Sequence, residues 1–400
     1  MKTAFWIALA TVFYTFAGYG ILLYALVRLR RIVAGHRQPP EPADAALPTL
    51  TIVVAAYNEA GIIAEKIANT LALRYPEEKL RILFVSDGST DGTEQIIARH
   101  PQVVLMHSAK RNGKMAAIHR AMVSVNSEIV VFTDANTFLN ENALRLIARH
   151  YTNAAVGAVS GEKRVVSATV SDATAGEGFY WKYESALKRW DSELYSVVGA
   201  AGELFSIRTA LYEPVPADAV LDDFIISMRI AAQGYRIVYE PDACATEGTS
   251  ANVGEEWKRK VRIAAGGIQS ILRLPRLLNP LRMPLLTFQY ISHRVLRWTV
   301  TPFLLILAFI LNAAIVLRGG GAVYQALFAA QCGFYALALA GYALSLRKIK
   351  VKVAFIPYYF CMMNAAVIAG IGRYFFRKSG QTVLWEKAAR REAPVLAQDI

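Results

Sequence analysis

The chain has 400 residues, 54% of them hydrophobic, and a net charge of +13 from 44 Lys and Arg against 31 Asp and Glu. A mean hydropathy of +0.30 is too high for an ordinary soluble enzyme. The basic excess lies largely beside apolar segments, which suits an anionic membrane surface and phosphate-bearing substrates; no DNA or RNA recognition motif accompanies it, so nucleic acid is not an expected partner.

Residues Thr3 to Val27 carry no charge and are long enough to span a bilayer. The run is too long for a typical signal core and lacks a small-x-small cleavage site. Arg28, Arg30 and Arg31 follow and place this end in the cytoplasm. Pro39, Pro40, Pro42 and Pro48 mark a linker. Thr49 to Ala56 is a buried strand, followed by Tyr57-Asn58-Glu59 and an apolar helical pattern through Ile62, Ile63, Ile67 and Leu71. A second strand, Ile82 to Val85, ends in Ser86-Asp87-Gly88-Ser89-Thr90-Asp91-Gly92. A helix to His100, a strand over Val103 to Met106, Arg111-Asn112-Gly113-Lys114 and a helix to about Val125 come next. Ile129 to Phe132 then reads as a strand buried on both faces that stops on Thr133-Asp134-Ala135-Asn136. Alternating strands and helices predict right-handed crossovers and a mostly parallel sheet with helices on both faces. Open sheets of this kind bind ligands at the carboxyl ends of their strands.

The polar strand ends need chemical readings. Asp134 either caps its turn or serves a ligand site. Asp87 to Gly92 resembles a calcium loop, but Ala98 stands where a bidentate Glu is required, so that reading fails. Gly113-Lys114 lacks the P-loop frame. A Gly-Lys at a helix start can still hold a phosphate, and beside an acidic strand end it suggests a diphosphate bridged by a divalent cation. Cys244, Cys332 and Cys361 form no CxxC pair and no zinc spacing; they read as buried small apolar residues facing a reducing cytoplasm.

Taken in order, Ala56-Tyr57-Asn58-Glu59, Ser86 to Asp91, Asn112-Gly113-Lys114, Thr133 to Asn136, Gly199 to Phe205, Leu221-Asp222-Asp223-Phe224 and Arg259-Lys260-Val261-Arg262 resemble the motifs of family 2 glycosyltransferases. The likeness is to the membrane-bound branch that includes cellulose, chitin, poly-N-acetylglucosamine and hyaluronan synthases, and it covers almost the whole chain. It implies a GT-A fold and an inverting transfer from a nucleotide-sugar, expected to be a UDP-sugar, to a saccharide or glycolipid acceptor. Ala56, Tyr57, Glu59 and Asp87 would meet the nucleotide, Glu59 near the ribose and Asp87 near the base; Lys114, Arg259 and Arg262 would meet the diphosphate. Asp134, with Asn136, would hold Mg2+ or Mn2+, and Asp223 would be the general base. Gly202, Glu203 and Asp222 would border the acceptor.

Chemistry agrees with these roles. A departing diphosphate gains negative charge that a divalent ion and fixed cations stabilise, and the acceptor hydroxyl needs a carboxylate to take its proton. Asp222 and Asp223 open a helix over Phe224 to Ala232, and either could merely cap it. Asp223 is the expected base because it directly precedes the apolar stripe of Phe224, Ile225, Ile226 and Met228, leaving Asp222 to turn to solvent or to the helix N–H groups. Three departures from the family pattern stand out. Asn136 replaces a second Asp, Asp222 replaces a Glu, and Ile263 replaces the Trp that helps hold a growing chain in processive synthases. Single transfer to a ceramide, diacylglycerol or polyprenyl carrier therefore competes with chain extension. A non-catalytic nucleotide-sugar-binding assembly subunit is the alternative from another class.

Beyond the domain, Glu255 to Leu278 and Pro284 to Arg297 read as amphipathic helices at the membrane surface. Trp298 to Leu317, Ala322 to Leu346 and Val353 to Phe376 are each long enough to span. Arg347, Lys348, Lys350 and Lys352 place the loop before the last segment in the cytoplasm. Four spans would then put the basic tail, with Lys387, Arg390 and Arg391, outside; either the charge rule is broken there or the last segment is re-entrant. The expected organisation is a membrane helix over 1–31, a linker over 32–48, a cytoplasmic GT-A domain over 49–254, interface helices over 255–297, three apolar membrane segments over 298–376 and a basic tail over 377–400. Such a chain belongs in a bacterial inner membrane, in contact with membrane lipids, with room for a homo-oligomer or an export partner.

Overall fold

The computed structural model describes all residues except 36–38, 167–173, 249–252, 348, 350 and 377–400, so the basic tail, Lys348 and Lys350 lie outside the described residues. The chain divides into two compact units. One comprises Leu29–Val166 and Lys188–Thr249; the other comprises Met1–Arg28, Ser167–Leu187 and Ser250–Ser379.

The first unit is built on β1 (Leu50–Ala56), β2 (Leu80–Asp87), β3 (Val104–Ser108), β4 (Ile129–Asp134), β5 (Phe138–Leu139), β6 (Val156–Val166), β7 (Leu204–Arg208) and β8 (Arg236–Gly248). They form one sheet in the order β3-β2-β1-β4-β7-β6-β8-β5. The half containing β1 to β4 is parallel, as the alternating pattern predicts. Beyond it β7 runs antiparallel to both β4 and β6, and β5 antiparallel to β8, so the sheet is mixed. Parallel pairing resumes between β6 and β8. The apolar runs in β1, β2 and β4 are buried on both faces because helices cover them.

The helices of this unit are α2 (Ile63–Leu71), α3 (Thr93–Ala98), α4 (Lys114–Met122), α5 (Ala143–Ala148) and α7 (Asp222–Ala232), and the last turns of α1 (Lys2–Ala34) and of α6 (Thr174–Leu194) also belong to it. One core gathers Ile52, Val54, Ile63, Ile67, Phe84, Val131 and Leu144. At the β4–β7 seam, register partners Phe132 and Phe205 stack at 4.9 Å and fix the pairing of these antiparallel strands.

Register concentrates the polar strand ends. Ala55 lies opposite Asp134, Ala56 opposite Ser86, and Thr133 opposite Leu204. Because β7 runs antiparallel, its entry at Gly202 and Glu203 meets the carboxyl ends of β1, β2 and β4 at the same sheet edge.

The second unit contains α8 (Val253–Arg273), α9 (Pro284–Trp298), α10 (Thr301–Leu317), α11 (Ala322–Leu346) and α12 (Lys352–Phe375). Among the described residues, α1, α11 and α12 are long and apolar enough to cross a membrane. At 17 residues, α10 spans only about 25 Å, short of a hydrocarbon core of roughly 30 Å. It follows α9 with a bend of 61°, and the bent pair would be a fourth span only if counted as one. The basic amphipathic α8 packs its small residues on α12, where a Cβ on Gly370 would come 2.5 Å from that of Ala264. Buried Glu184 on α6 accepts from His293 (3.0 Å), Arg294 (2.7 Å) and Arg297 (2.9 Å) on α9. Cys332 on α11 departs from the expected burial: it is exposed, on a helix little covered by protein, whereas Cys244 is buried.

Gly199, in the loop leading to β7, has φ +86, and a Cβ there would collide with the Phe224 ring. Gly199→Ala should therefore cost at least about 1 kcal/mol from backbone strain alone, with the displaced Phe224 adding to it. Thermal unfolding in detergent should show a clear fall in Tm; an unchanged Tm would contradict this account of the loop.

Candidate active site

One end of this polar edge is assembled by pinning one loop to another. The Asn58 N–H donates to Ser89 Oγ (3.2 Å), Thr90 N–H to Asn58 Oδ1 (2.8 Å), and Glu59 N–H to Thr93 Oγ1 (2.9 Å). Asp91 accepts from the Ala60 N–H (2.9 Å) and from the Thr93 N–H and hydroxyl, so its carboxylate is consumed in holding the loops together. That explains the calcium-loop spacing without calcium. Glu59 is buried at this junction. Tyr57 packs under Arg111, whose guanidinium lies 4.0 Å from the ring centroid.

Asp87, at the end of β2, is fixed through one oxygen. The Asn112 and Gly113 N–H groups donate to Oδ2 at 2.9 and 2.6 Å. Its Oδ1 is buried, makes no hydrogen bond, and lies 3.5 Å from the Arg120 guanidinium. A buried acceptor without a donor is costly, and a ligand N–H is the natural partner for it.

The acidic end gathers three carboxylates around one ammonium. Lys114 Nζ, at the start of α4, donates to Asp134 Oδ1 at 3.0 Å and lies 3.6 Å from Asp222 Oδ2. Burial opposes the charge on Lys114, but Asp134, Asp222 and Asp223 outweigh it and push the ammonium pKa up. The reverse holds for Asp223: burial first and then the Asp222 carboxylate raise it to about 7, against the pull of Lys114. Asp222 does not turn away as the apolar stripe suggested. Its side chain is 13% exposed and directed at Lys114, and α7 has no side-chain cap. The physical reason is charge: a carboxylate beside a buried ammonium gains more than one bonded to helix N–H groups.

Gly202 leaves room for this arrangement, since a Cβ there would stand 3.0 Å from Asp223 Oδ2. Glu203 is held by Lys163, which also pairs with Glu247, and the Glu203 carbonyl accepts from the Thr133 hydroxyl at 2.9 Å. The geometry thus brings Ala56, Tyr57, Glu59, Asp87, Lys114, Asp134, Gly202, Glu203, Asp222 and Asp223 to one edge. Arg259 and Arg262 lie on α8 of the second unit, where Arg259 pairs with Glu256 at 3.4 Å.

Asp134 and Asn136 offer oxygen donors to a hard divalent ion. Among the described residues no group of three or more His, Cys, Asp or Glu could hold a metal unaided. The residues therefore fit an ion whose remaining ligands come from a diphosphate. Charge also favours it, because one ammonium against three carboxylates leaves negative charge over. Sequence reading missed Arg111, Arg120, Lys163 and Lys66. The signal for Lys66 was present: it falls on the apolar stripe with Ile63, Ile67 and Thr70, where a charge has no solvent.

Asp223 holds a proton in the folded chain up to about pH 7, whereas an unfolded Asp loses it near 3.8. Between these values the folded state binds more protons, so this group makes stability fall as pH rises through the window. Asp223→Asn should flatten that fall in Tm relative to the wild type; an identical pH dependence would contradict the placement of the carboxyl.

Residues 51–215 match the model described as "Glycosyl transferase family 2". A poly-beta-1,6-N-acetyl-D-glucosamine synthase from Staphylococcus aureus is 26% identical over 235 residues, 57% of this chain and 56% of the relative. The corresponding synthase from Staphylococcus epidermidis is 25% identical, covering 56% of each. The chain thus spans about half the length of the curated relatives it matches. A solved mannosyltransferase from Pyrobaculum calidifontis, in complex with GDP-Man and Mn2+, is similar over 94% of this chain and 100% of its own, with a TM-score of 0.68 and 26% identity. With the mixed sheet and the polar edge in place, these likenesses show that residues 51–215 form a glycosyl transferase family 2 domain, on a GT-A-like fold in a chain that also carries membrane-length helices.

Proposed function

We propose that the chain is a membrane-integrated inverting enzyme that moves a sugar from a UDP-sugar to a saccharide or glycolipid acceptor, forming a β-glycosidic bond. The observation that carries this reading is the placement of Asp223, Asp222, Lys114 and Asp134 within one ion cluster at the sheet edge that also bears Asp87.

Asp87 and Arg120 suit the edge of a uracil base. With Oδ2 occupied by two backbone N–H groups, Oδ1 is the oxygen left without a hydrogen bond. Uracil offers an edge donor, N3–H, that Oδ1 would accept, flanked by carbonyls that Arg120 can serve.

In the transfer, Lys114 faces the diphosphate, and Asp223 takes the proton of the acceptor hydroxyl as its oxygen attacks the anomeric carbon. The new C–O bond forms opposite the breaking bond to the diphosphate, so an α-linked donor yields a β-linked product, and UDP leaves with the electron pair. A divalent ion held by Asp134 and Asn136 would supply charge stabilisation on the departing diphosphate. Arg259 and Arg262 are assigned to the same phosphates by their motif. Ile263 favours short products or single transfers to a lipid acceptor over long polymer. The catalytic domain would face the cytoplasm, where nucleotide-sugars are made.

Asp223→Asn should lower transfer by ~10²–10⁴ while leaving UDP binding intact, the range for losing a general base. In the wild type, kcat/KM should rise with pH to a plateau above about 7, as Asp223 loses its proton. Transfer by Asp223→Asn at the wild-type rate would overturn the assignment of the base.

A further inference from the structure

Lys66 on α2 is fully buried, yet none of the steps above uses it. Its ammonium donates to the Thr137 carbonyl at 2.6 Å and lies 3.4 Å from Thr133 Oγ1. Those two threonines bracket the turn carrying Asp134 and Asn136. The Thr137 hydroxyl donates to the Asp134 carbonyl at 2.9 Å, and the Thr137 N–H closes the turn onto the same carbonyl at 3.4 Å. Thr133 Oγ1 and Thr137 Oγ1 are 2.9 Å apart, and Thr133 reaches on to the Glu203 carbonyl. One buried network thus joins α2, the turn after β4 and the entry to β7.

An apolar residue would fill the stripe between Ile63 and Ile67 at less cost. Burial, partly offset by the Asp134 carboxylate, pushes the Lys66 pKa down to about 7. What the ammonium supplies, and a methyl group cannot, is a donor that holds the Thr137 carbonyl and thereby the tilt of the turn. Partners of this kind behind metal ligands typically govern affinity by 10–100-fold.

Resting on the reading that Asp134 and Asn136 serve a divalent ion, we propose that Lys66 is a positioning residue, whose grip on the 134–137 turn presents these two side chains to the cation–diphosphate unit of the donor. Lys66 touches neither substrate nor ion; it acts through Thr133 and Thr137.

The test uses the detergent-solubilised full chain, with Mn2+ as probe and UDP present or absent. Free Mn2+ is read from its electron paramagnetic resonance signal, and UDP binding without metal is read by calorimetry. Lys66→Met, which keeps length and removes the donor, should weaken Mn2+ binding to the UDP complex about tenfold while leaving metal-free UDP affinity unchanged. Excess Mn2+ should then restore turnover, moving the Mn2+ requirement rather than kcat. Thr137→Val, which removes the bond to the Asp134 carbonyl, should weaken Mn2+ in the same direction and decides the matter if Lys66→Met does not fold. Wild-type Mn2+ affinity in the folded variants, or a parallel loss of metal-free UDP binding, overturns the proposal. Failure of the wild type itself to bind Mn2+ with UDP would instead overturn the metal reading on which it rests.

Discussion

Lys114 sets the charge balance of the site, because its ammonium donates to Asp134, with Asp222 and Asp223 close by. An ammonium carries one positive charge and cannot neutralise three carboxylates in a partly buried cluster. The imbalance is relieved in one of two ways. Either Asp223 keeps its proton, or a doubly charged cation arrives with a diphosphate. Burial and the neighbouring Asp222 carboxylate favour the first, raising the Asp223 pKa to about 7. Donor and ion together would draw Lys114 toward the phosphates and bring positive charge near Asp134. The same cluster that discourages an idle base would then hold a charged donor.

The sheet explains why these groups meet. Parallel strands β1, β2 and β4 place their carboxyl ends on one edge, and the reversal at β7 returns the Gly199–Glu203 loop to that edge. Loop pinning by Asp91, Asn58 and Thr93, and the spending of Asp87 Oδ2 on backbone N–H groups, leave few groups free to face a ligand. Asp87 Oδ1, beside Arg120, is one of them, and it is the acceptor proposed for a uracil N3–H.

Much of this was readable in the sequence, for physical reasons. Buried parallel strands are apolar on both faces, so β1, β2 and β4 announced themselves, and the polar triplets that end them marked the site. The antiparallel β7 carries no comparable signature, since Leu204-Phe205-Ser206-Ile207 reads the same in either direction. The short span of α10 was hidden because hydropathy does not register the 61° bend before it. Asp222 was misjudged because helix position was weighed without the ammonium that α4 brings against it. Lys66 escaped because a lysine is ordinarily solvated, although its place on the apolar stripe of α2 signalled its burial.

The central claim is that this edge binds and breaks a uridine diphosphate sugar with the help of a divalent ion. Incubating the purified full chain with matched panels of UDP- and GDP-sugars, with and without excess EDTA, and following nucleotide release with mass analysis of products tests it most directly. The account predicts UDP release from at least one UDP-sugar, loss of that release in EDTA, and little turnover of the GDP-sugars. Full turnover in EDTA, or turnover confined to GDP-sugars, would contradict it.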